Sequence, residues 1–262
     1  MNGRLRVVLV TGATRGIGRA VVEGLAEQGH SVLLGARNLE RGRQVAEQIT
    51  GDVEPVQIDV TEHRSVAAAA SRVNGTYGYL DTLVNNAGIN VGYQNPPSQT
   101  TQDDLHAIYA TDVFGLVDTT LMLLPLPDRS VAPRIVNVSS LRGSLGSQDK
   151  WVGPWSMAYG SAKTAVNSIT VHLARELGGR GYAVSAVSPG HVATDLTGRN
   201  EPYRHGRTSR PESCLPRPVD DGKGDAPLTP KQGAATVIAL ASAMTTEANG
   251  KFLDENGQTV PW

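Results

Sequence analysis

Tyr159 and Lys163 are the residues whose types and spacing most directly suggest acid–base chemistry. They stand four positions apart in the segment Tyr159-Gly160-Ser161-Ala162-Lys163, and residues with this spacing project from one face of an α-helix. A free tyrosine titrates at about pH 10, so it exchanges protons poorly at neutral pH unless a nearby cation stabilises its phenolate. Lys163 would supply that cation. The pair could therefore exchange a proton with a substrate, although this spacing alone also occurs by chance.

Two serines could act on the same substrate. Ser139 and Ser140 directly follow an apolar segment, 134–138, that is typical of a buried strand. A hydroxyl at the end of such a strand could hydrogen-bond a substrate oxygen and stabilise the charge that develops on it. The alternative is a pair of turn or helix-capping serines. Neither lies in a G-x-S-x-G sequence, so we do not expect a covalent serine nucleophile.

A glycine-rich segment near the start of the chain could hold a phosphate group. Residues 11–18 read TGATRGIG, follow an apolar segment and precede a helical pattern. Backbone amides and the positive end of the helix dipole would then face a bound anion. The spacing differs from G-x-G-x-x-G, and a turn that merely allows tight packing is the alternative.

The end of the second predicted strand bears on the choice of dinucleotide. A fold that prefers NAD places an acidic residue there against the ribose 2′-hydroxyl, whereas this sequence has Arg37. Arg37 could pair bidentately with a 2′-phosphate, and Arg15 could approach the same group, which favours NADP(H). The alternative is that both are ordinary surface arginines. Asp59, after the third strand, could accept a hydrogen bond from an adenine amino group or only stabilise a local turn.

A regular alternation of strands and helices has to position these residues. Short β-branched or leucine-rich segments alternate with segments rich in Ala, Glu, Gln and Arg, which predicts an α/β fold: a doubly wound Rossmann-type domain with a parallel sheet and helices on both faces. We predict strands at 5–10, 31–36, 54–58, 80–84, 134–138, 183–187 and 251–253, and helices at 17–28, 39–49, 65–73, 102–124, 156–177 and 231–243.

Length and composition narrow the class of protein. We expect residues 1–262 to form one domain, with a proline-rich loop at 197–230 that acts as a mobile lid over a substrate. The 24 Lys and Arg residues balance 25 Asp and Glu residues, so nothing favours a nucleic acid or an anionic membrane as partner. No apolar stretch approaches the roughly 20 residues of a membrane helix. One cysteine and six scattered histidines predict no disulfide and no metal site, and a reducing cytoplasm fits best.

Five ordered motifs together resemble the short-chain dehydrogenase/reductase family over nearly the whole chain. They are the turn at 11–18, the segment Asn85-Asn86-Ala87-Gly88, Ser140, the pair Tyr159 and Lys163, and the segment 188–194, which reads SPGHVAT. The resemblance implies an oxidoreductase that moves hydride between NADP(H) and a ketone, aldehyde or secondary alcohol. It also implies a small-molecule substrate and a homodimer or homotetramer.

The resemblance assigns roles to individual residues. Tyr159 would be the general acid or base, Ser140 rather than Ser139 would orient the substrate oxygen, and Lys163 would tune Tyr159 and bind the nicotinamide ribose. Residues 85–88 would also brace the central sheet. The residues expected to bind the cofactor are Gly12, Thr14, Arg15, Gly16, Ile17, Gly18, Arg37, Asp59, Val60, Asn86, Ala87, Gly88, Tyr159, Lys163, Pro189, Gly190, Val192 and Thr194.

Two departures from the family pattern are informative. The serine-to-tyrosine spacing is longer than usual, which adds Trp151, Pro154 and Trp155 as residues that either shape a substrate pocket or only pack it. The usual Asn of an N-x-x-G motif is replaced by Asp112, at a position that normally organises a proton-relay water beside the lysine. Asp112 is either a tolerated near-isostere or a charge that alters the site. If it silences turnover, the chain would be a cofactor-binding scaffold or sensor. A non-redox lyase or epimerase that uses the same tyrosine and lysine is the remaining alternative.

Overall fold

The fold is known from a computed structural model that describes residues 5–93, 95–126, 129–151, 156–194, 196 and 228–262. Seven parallel strands form one sheet in the order β3-β2-β1-β4-β5-β6-β7. The strands are β1 (Val7–Val10), β2 (Ser31–Ala36), β3 (Val53–Gln57), β4 (Thr82–Asn85), β5 (Arg134–Val138), β6 (Ala183–Val187) and β7 (Phe252–Leu253). The strand order reverses between β1 and β4, and a crevice at such a point is where open α/β sheets bind ligands.

Seven α-helices accompany these strands within the described ranges. They are α1 (Gly16–Glu27), α2 (Leu39–Ala46), α3 (His63–Tyr77), α4 (Gln102–Tyr109), α5 (Gly115–Leu123), α6 (Met157–Leu177) and α7 (Pro230–Ser242). None of the helices in the described part of the chain is both long and apolar enough to cross a bilayer.

The core lies on both faces of the sheet, as alternation along β1 shows. Val8 and Val10 pack in one apolar cluster with α1 and α7, whereas Val7 and Leu9 pack in another with α3 and α5. Successive strand residues point to opposite faces, so a strand covered on both sides is apolar throughout. The predicted doubly wound α/β fold is confirmed.

The predicted continuous α-helix at 102–124 is wrong in one respect. A π-helical turn, Ala110–Phe114, separates α4 from α5, and the Gly115 amide donates to the carbonyl of Ala110, five residues back. Gly115 packs tightly here, since a Cβ on it would lie 2.7 Å from the Val60 carbonyl oxygen. A π-bulge inside an α-helix often marks a functional position, and Asp112 lies in this turn with only 1% of its surface exposed.

Several predicted boundaries also shift. Helix α3 extends beyond the predicted 65–73 at both ends and finishes at Tyr77. The next residue, Gly78, caps it with a left-handed backbone, at φ of 70°. The last residue of the predicted loop at 197–230 belongs to α7, because Thr229 caps that helix and Pro230 is its first residue. Residues 197–227, on which the predicted lid falls, lie outside the described residues.

Candidate active site

A cleft of about 300 Å³ opens at the carboxyl edge of the sheet, where the loops that follow strands β1 to β6 meet. It contains most of the residues expected to bind the cofactor or to react. Its lining consists of Gly12, Thr14, Arg15, Gly16, Ile17, Gly18, Ala36, Arg37, Ile58, Asp59, Val60, Thr61, Asn86, Ala87, Gly88, Ile89, Thr111, Asp112, Val138, Ser139, Tyr159, Lys163, Pro189, Thr194 and Leu196.

The glycine turn between β1 and α1 forms one end of the cleft. Gly12 has a positive φ of 62°, and a Cβ there would lie 2.8 Å from the Cα of Ala87. The Asn86 side-chain amide donates to the carbonyls of Thr11, at 2.9 Å, and Gly12, at 3.1 Å. These contacts hold the turn against the loop after β4. Arg15 is the N-cap residue of α1, and its side chain carries only hydrogen-bond donors, so it cannot cap the backbone amides of the first turn. These amides therefore suit an anion.

Arg37 and Asp59 lie in the wall of the cleft beyond the ends of β2 and β3. Arg37 is exposed and directly follows Ala36, the last residue of β2. One carboxylate oxygen of Asp59 accepts hydrogen bonds from the amide of Thr61, at 3.0 Å, and from its hydroxyl, at 2.7 Å. The local turn role considered for Asp59 is therefore present, while its contact with an adenine stays a prediction.

Helix α6 brings Tyr159 and Lys163 together at the other end of the cleft. The Lys163 Nζ lies 5.4 Å from the centre of the Tyr159 ring, and both residues are buried. The ammonium also donates to the Val138 carbonyl at 3.0 Å, which ties α6 to the end of β5. The expected proximity of the phenol and the cation is thus a feature of the structure.

The two serines after β5 have different partners. The Ser139 hydroxyl is buried and donates to the Asn167 side chain at 2.6 Å, with a further contact of 3.3 Å to the Lys163 carbonyl. Ser140 lies beside Tyr159, where it lowers the pKa of the phenol, and its hydroxyl accepts from the Arg142 amide at 3.2 Å. Ser140 therefore meets the phenol, whereas Ser139 anchors the strand end to α6.

The loop after Ser140 packs directly on α6. A Cβ on Gly143 would lie 2.6 Å from the backbone carbon of Lys163, so only glycine permits this approach. The Gly143 carbonyl accepts from the Thr164 hydroxyl and the Asn167 side chain, both at 3.1 Å. These contacts fix the relative position of Ser140 and Tyr159.

Asp112 forms a buried ion pair with Lys163. Its Oδ2 lies 3.0 Å from the lysine Nζ, and its Oδ1 accepts from the Ile89 amide at 2.9 Å. Among the described residues Oδ2 has no hydrogen bond of normal angular geometry, so its contact with the lysine is chiefly electrostatic. A carboxylate therefore occupies the inner wall of the cleft beside the predicted proton donor.

Burial and charge act together on the ionisation of this group of residues. Burial raises the pKa of Asp112, although Lys163 and the Ile89 amide oppose this shift. Burial disfavours the Lys163 ammonium, but the negative charge of Asp112 and the nearby phenol outweigh it, so the pKa of Lys163 is raised. Burial and Asp112 raise the pKa of Tyr159 against the opposing effect of Lys163, which keeps the phenol protonated at neutral pH.

The loop after β6 approaches the glycine turn from the opposite side. Pro189 and Thr194 line the cleft, and a Cβ on Gly16 would lie 3.3 Å from the Thr194 methyl group. Two residues expected to bind the cofactor do not line the cleft. Gly190 has a positive φ of 78° and faces Leu228, and Val192 forms a β-bridge with that same leucine. In this structure they support the loop that carries Pro189 and Thr194.

Comparison with known proteins agrees with this geometry. Residues 6–204 match the family model described as short chain dehydrogenase. The chain belongs to the short-chain dehydrogenase family. It is 31% identical over 259 residues to the 3-oxoacyl-(acyl-carrier-protein) reductase FabG of Vibrio harveyi, covering 98% of each chain. It is 37% identical over 194 residues to the sulfoacetaldehyde reductase of Chromohalobacter salexigens, covering 72% of this chain and 74% of that one.

A solved structure in the same family supports the match in three dimensions. The 3-ketoacyl-ACP reductase from Sinorhizobium meliloti superposes with a TM-score of 0.79 at 27% identity, covering 95% of this chain and 97% of that chain. Membership of the short-chain dehydrogenase family makes this chain an oxidoreductase of a family that uses a nicotinamide cofactor, which confirms the resemblance inferred from the five motifs.

Sequence reasoning missed several cleft residues of this short-chain dehydrogenase. They are Ala36, Ile58, Thr61, Ile89, Thr111 and Val138. Most lie next to a predicted residue, so extending each motif by one position would have found them. Of the residues added by the longer serine-to-tyrosine spacing, Trp151 donates to the Leu141 carbonyl at 3.0 Å and packs its own loop. Pro154 and Trp155 lie outside the described residues.

Proposed function

We propose that this short-chain dehydrogenase reduces ketones or aldehydes with NADPH and that Tyr159 supplies the proton. The observation that carries the proposal is the position of the Tyr159 phenol, which lies beside Ser140 and Lys163 in a cleft that also contains the glycine turn and Arg37. The cofactor end and the proton-donating end thus belong to one continuous cavity.

The residues present fit a dinucleotide with a 2′-phosphate. The amides at the start of α1 would bind the pyrophosphate, and Arg37 would pair with the 2′-phosphate because nothing acidic occupies the end of β2. Lys163 would bind the nicotinamide ribose. When bound, NADPH supplies a hydride to the carbonyl carbon.

The protein's own groups manage the proton and the charge. The Tyr159 hydroxyl donates its proton to the carbonyl oxygen as that oxygen becomes an alcohol. The Ser140 hydroxyl donates a hydrogen bond to the same oxygen and orients it. Lys163 stabilises the phenolate left on Tyr159 until solvent reprotonates it. The raised pKa of Tyr159 favours this direction, because the phenol holds its proton at neutral pH.

The names of the relatives support carbonyl reduction. The Vibrio harveyi relative is named for reduction of a 3-oxoacyl group, which is a ketone, and the Chromohalobacter salexigens relative for reduction of an aldehyde. The loop predicted at 197–230, which could distinguish one carbonyl compound from another, falls largely outside the described part of the chain. We therefore propose the reaction class and leave the individual substrate to a screen.

The Tyr159→Phe variant tests the role of the phenol. It removes the transferable proton but keeps the ring, so turnover should fall by about 10² to 10⁴-fold while NADPH binding persists. Steady-state rates and a fluorescence titration of bound NADPH measure the two properties separately. A loss of turnover smaller than about tenfold, with binding intact, would show that another group is the acid.

A further inference from the structure

We propose that the Asp112 carboxylate is a positioning residue which holds the Lys163 ammonium from behind and sets the pH range over which the site reduces carbonyl groups. The inference rests on the proposed function, because it concerns the proton that Tyr159 donates. It assigns a charge-dependent role to a position where the family pattern has an uncharged side chain.

The contacts of Asp112 hold its carboxylate close to the Lys163 ammonium. Its two oxygens contact different partners, with Oδ1 on the Ile89 amide at 2.9 Å and Oδ2 3.0 Å from the Lys163 Nζ. A Cβ on Gly88 would lie 3.0 Å from Oδ2, so the loop after β4 closes over the carboxylate. The side chain is fully enclosed, and Lys163 is its cationic partner.

The π-helical turn is the element that delivers this side chain. It widens the helix over Ala110–Phe114, and Asp112 is at its centre with 1% of its surface exposed. A π-bulge costs helical regularity, and such bulges occur frequently at functional sites. Helical structure alone does not require a charged residue at a buried position, because a buried charge is costly unless it is paired. The pairing of Asp112 with Lys163 offsets this cost.

The electrostatic consequence follows from the sign of each charge. The carboxylate favours the lysine cation and disfavours the tyrosine phenolate, so it keeps Lys163 charged and Tyr159 protonated. Carbonyl reduction needs the protonated phenol, whereas alcohol oxidation needs the phenolate. Asp112 therefore extends reduction toward alkaline pH and delays oxidation until higher pH.

Other charges act on the same phenol and must be considered. Among the described residues, Lys163 and Arg142 both favour the phenolate, and Arg142 also interacts with Tyr93. A substitution at Asp112 leaves both side chains in place. It also removes the charge that raises the pKa of Lys163, so the predicted shift applies over the pH range in which the ammonium stays protonated. The positive charge of an oxidised nicotinamide would act on the wild-type protein and on its variants alike.

The Asp112→Asn variant separates the charge from the shape. An asparagine can keep the hydrogen bond from the Ile89 amide and nearly the same volume, but it removes the negative charge. We expect the alkaline limb of the reduction profile, in kcat/KM against pH, to move down by about one pH unit, and the oxidation profile to move with it. At acidic pH, where Tyr159 is protonated in both proteins, the rates should agree within a few-fold.

The matched control is Asp118→Asn, which removes a carboxylate from α5 that pairs with the exposed His63. Its pH profile should coincide with that of the wild-type protein. Thermal unfolding of both variants checks the fold, and Asp112→Ser provides a second uncharged side chain if the asparagine variant is unstable. Coincident profiles for wild type and Asp112→Asn, or a shift to higher pH, would overturn the proposal.

A spectroscopic titration gives a readout that does not require turnover. The ultraviolet difference between each protein and its own Tyr159→Phe variant reports ionisation of this one phenol. We expect the Tyr159 pKa in Asp112→Asn to be about one unit lower than with Asp112 present. An unchanged value would refute the role of the charge. If the wild-type protein reduces no carbonyl compound yet the titration shifts as expected, the proposed reaction fails while the charge coupling stands.

Discussion

Arg37 is the residue on which the proposed preference for NADPH over NADH depends. It is exposed at the end of β2, in the wall of the cleft, where a dinucleotide fold that prefers NAD carries an acidic side chain. A guanidinium can form two parallel, charge-assisted hydrogen bonds with a 2′-phosphate. It cannot form the same pair with the 2′-hydroxyl of NADH, and a neutral side chain cannot form it with the phosphate.

The Arg37→Ala variant should weaken binding of NADPH but leave binding of NADH nearly unchanged. A charged contact of this kind contributes about 1.5 to 3 kcal/mol, which corresponds to a roughly tenfold to hundredfold rise in Kd for NADPH. Isothermal titration with both cofactors measures this. Arg43→Ala, which removes an exposed arginine paired with Glu40 on α2, is the matched control and should change neither affinity. Equal losses for NADPH and NADH in Arg37→Ala would contradict the assignment.

At this scale the sequence predicted individual side chains better than their contacts. The spacing of Tyr159 and Lys163 placed them on one helical face because helical periodicity is a local property. The ion pair between Asp112 and Lys163 could not be predicted, since it joins α6 to a different helix and depends on the packing of the whole domain. The resemblance to the family identified Asp112 as a departure from the usual asparagine, but it did not predict that Asp112 contacts Lys163 directly.

The junction of the glycine turn with the loop after β4 is the element-scale feature that shapes the end of the cleft where we propose that the cofactor binds. Gly18, in the first turn of α1, packs against Asn86, whose side chain holds the carbonyls of the turn. A Cβ on Gly18 would lie 2.4 Å from the Asn86 Nδ2 and 2.6 Å from the Gly12 carbonyl oxygen. No rotamer change relieves the second contact, because it involves backbone.

The Gly18→Ala variant should therefore distort the turn and weaken NADPH and NADH binding to a similar extent. Overpacking of this kind costs about 1 to 3 kcal/mol, so we expect a loss of up to that size in the free energy of unfolding. Chemical denaturation and cofactor titration measure both effects. Gly75→Ala on α3 is the control, because a Cβ there meets nothing within 4 Å. It should leave binding unchanged and stabilise the helix slightly. Normal cofactor affinity in Gly18→Ala would refute the role assigned to this junction.

The prediction of elements succeeded where the pattern is local and failed where tertiary contacts decide. Residues 31–36, 134–138 and 183–187 form strands as predicted, because apolar residues dominate these buried parallel segments. The π-helical turn between α4 and α5 escaped prediction, since one additional residue per turn leaves no composition signal. The turn lies next to the close approach of Gly115 to the Val60 carbonyl, a contact between positions distant in sequence.

At the scale of the whole molecule, the order of the strands explains why residues from distant parts of the chain meet. The reversal between β1 and β4 opens the crevice, and the loops after β1, β2 and β3 supply the cofactor end. Helix α6 and the loops after β5 and β6 supply the reactive end. The alternation of strands and helices predicted this parallel arrangement, because each crossover helix returns the chain to the same end of the sheet before the next strand begins. The sequence of the loop predicted at 197–230 carries no comparable pattern from which a substrate could be predicted.

Turnover of NADPH by the wild-type chain, measured with a panel of ketones and aldehydes, tests carbonyl reduction most directly. Loss of absorbance by the reduced nicotinamide should depend on the carbonyl compound, and product analysis should find one alcohol formed for each NADPH consumed. NADH should be used less efficiently, by about tenfold or more. Tight binding of NADPH without consumption across the panel would contradict this account and favour a cofactor-binding scaffold or sensor. Conversion of substrate without net consumption of cofactor would instead indicate a lyase or an epimerase.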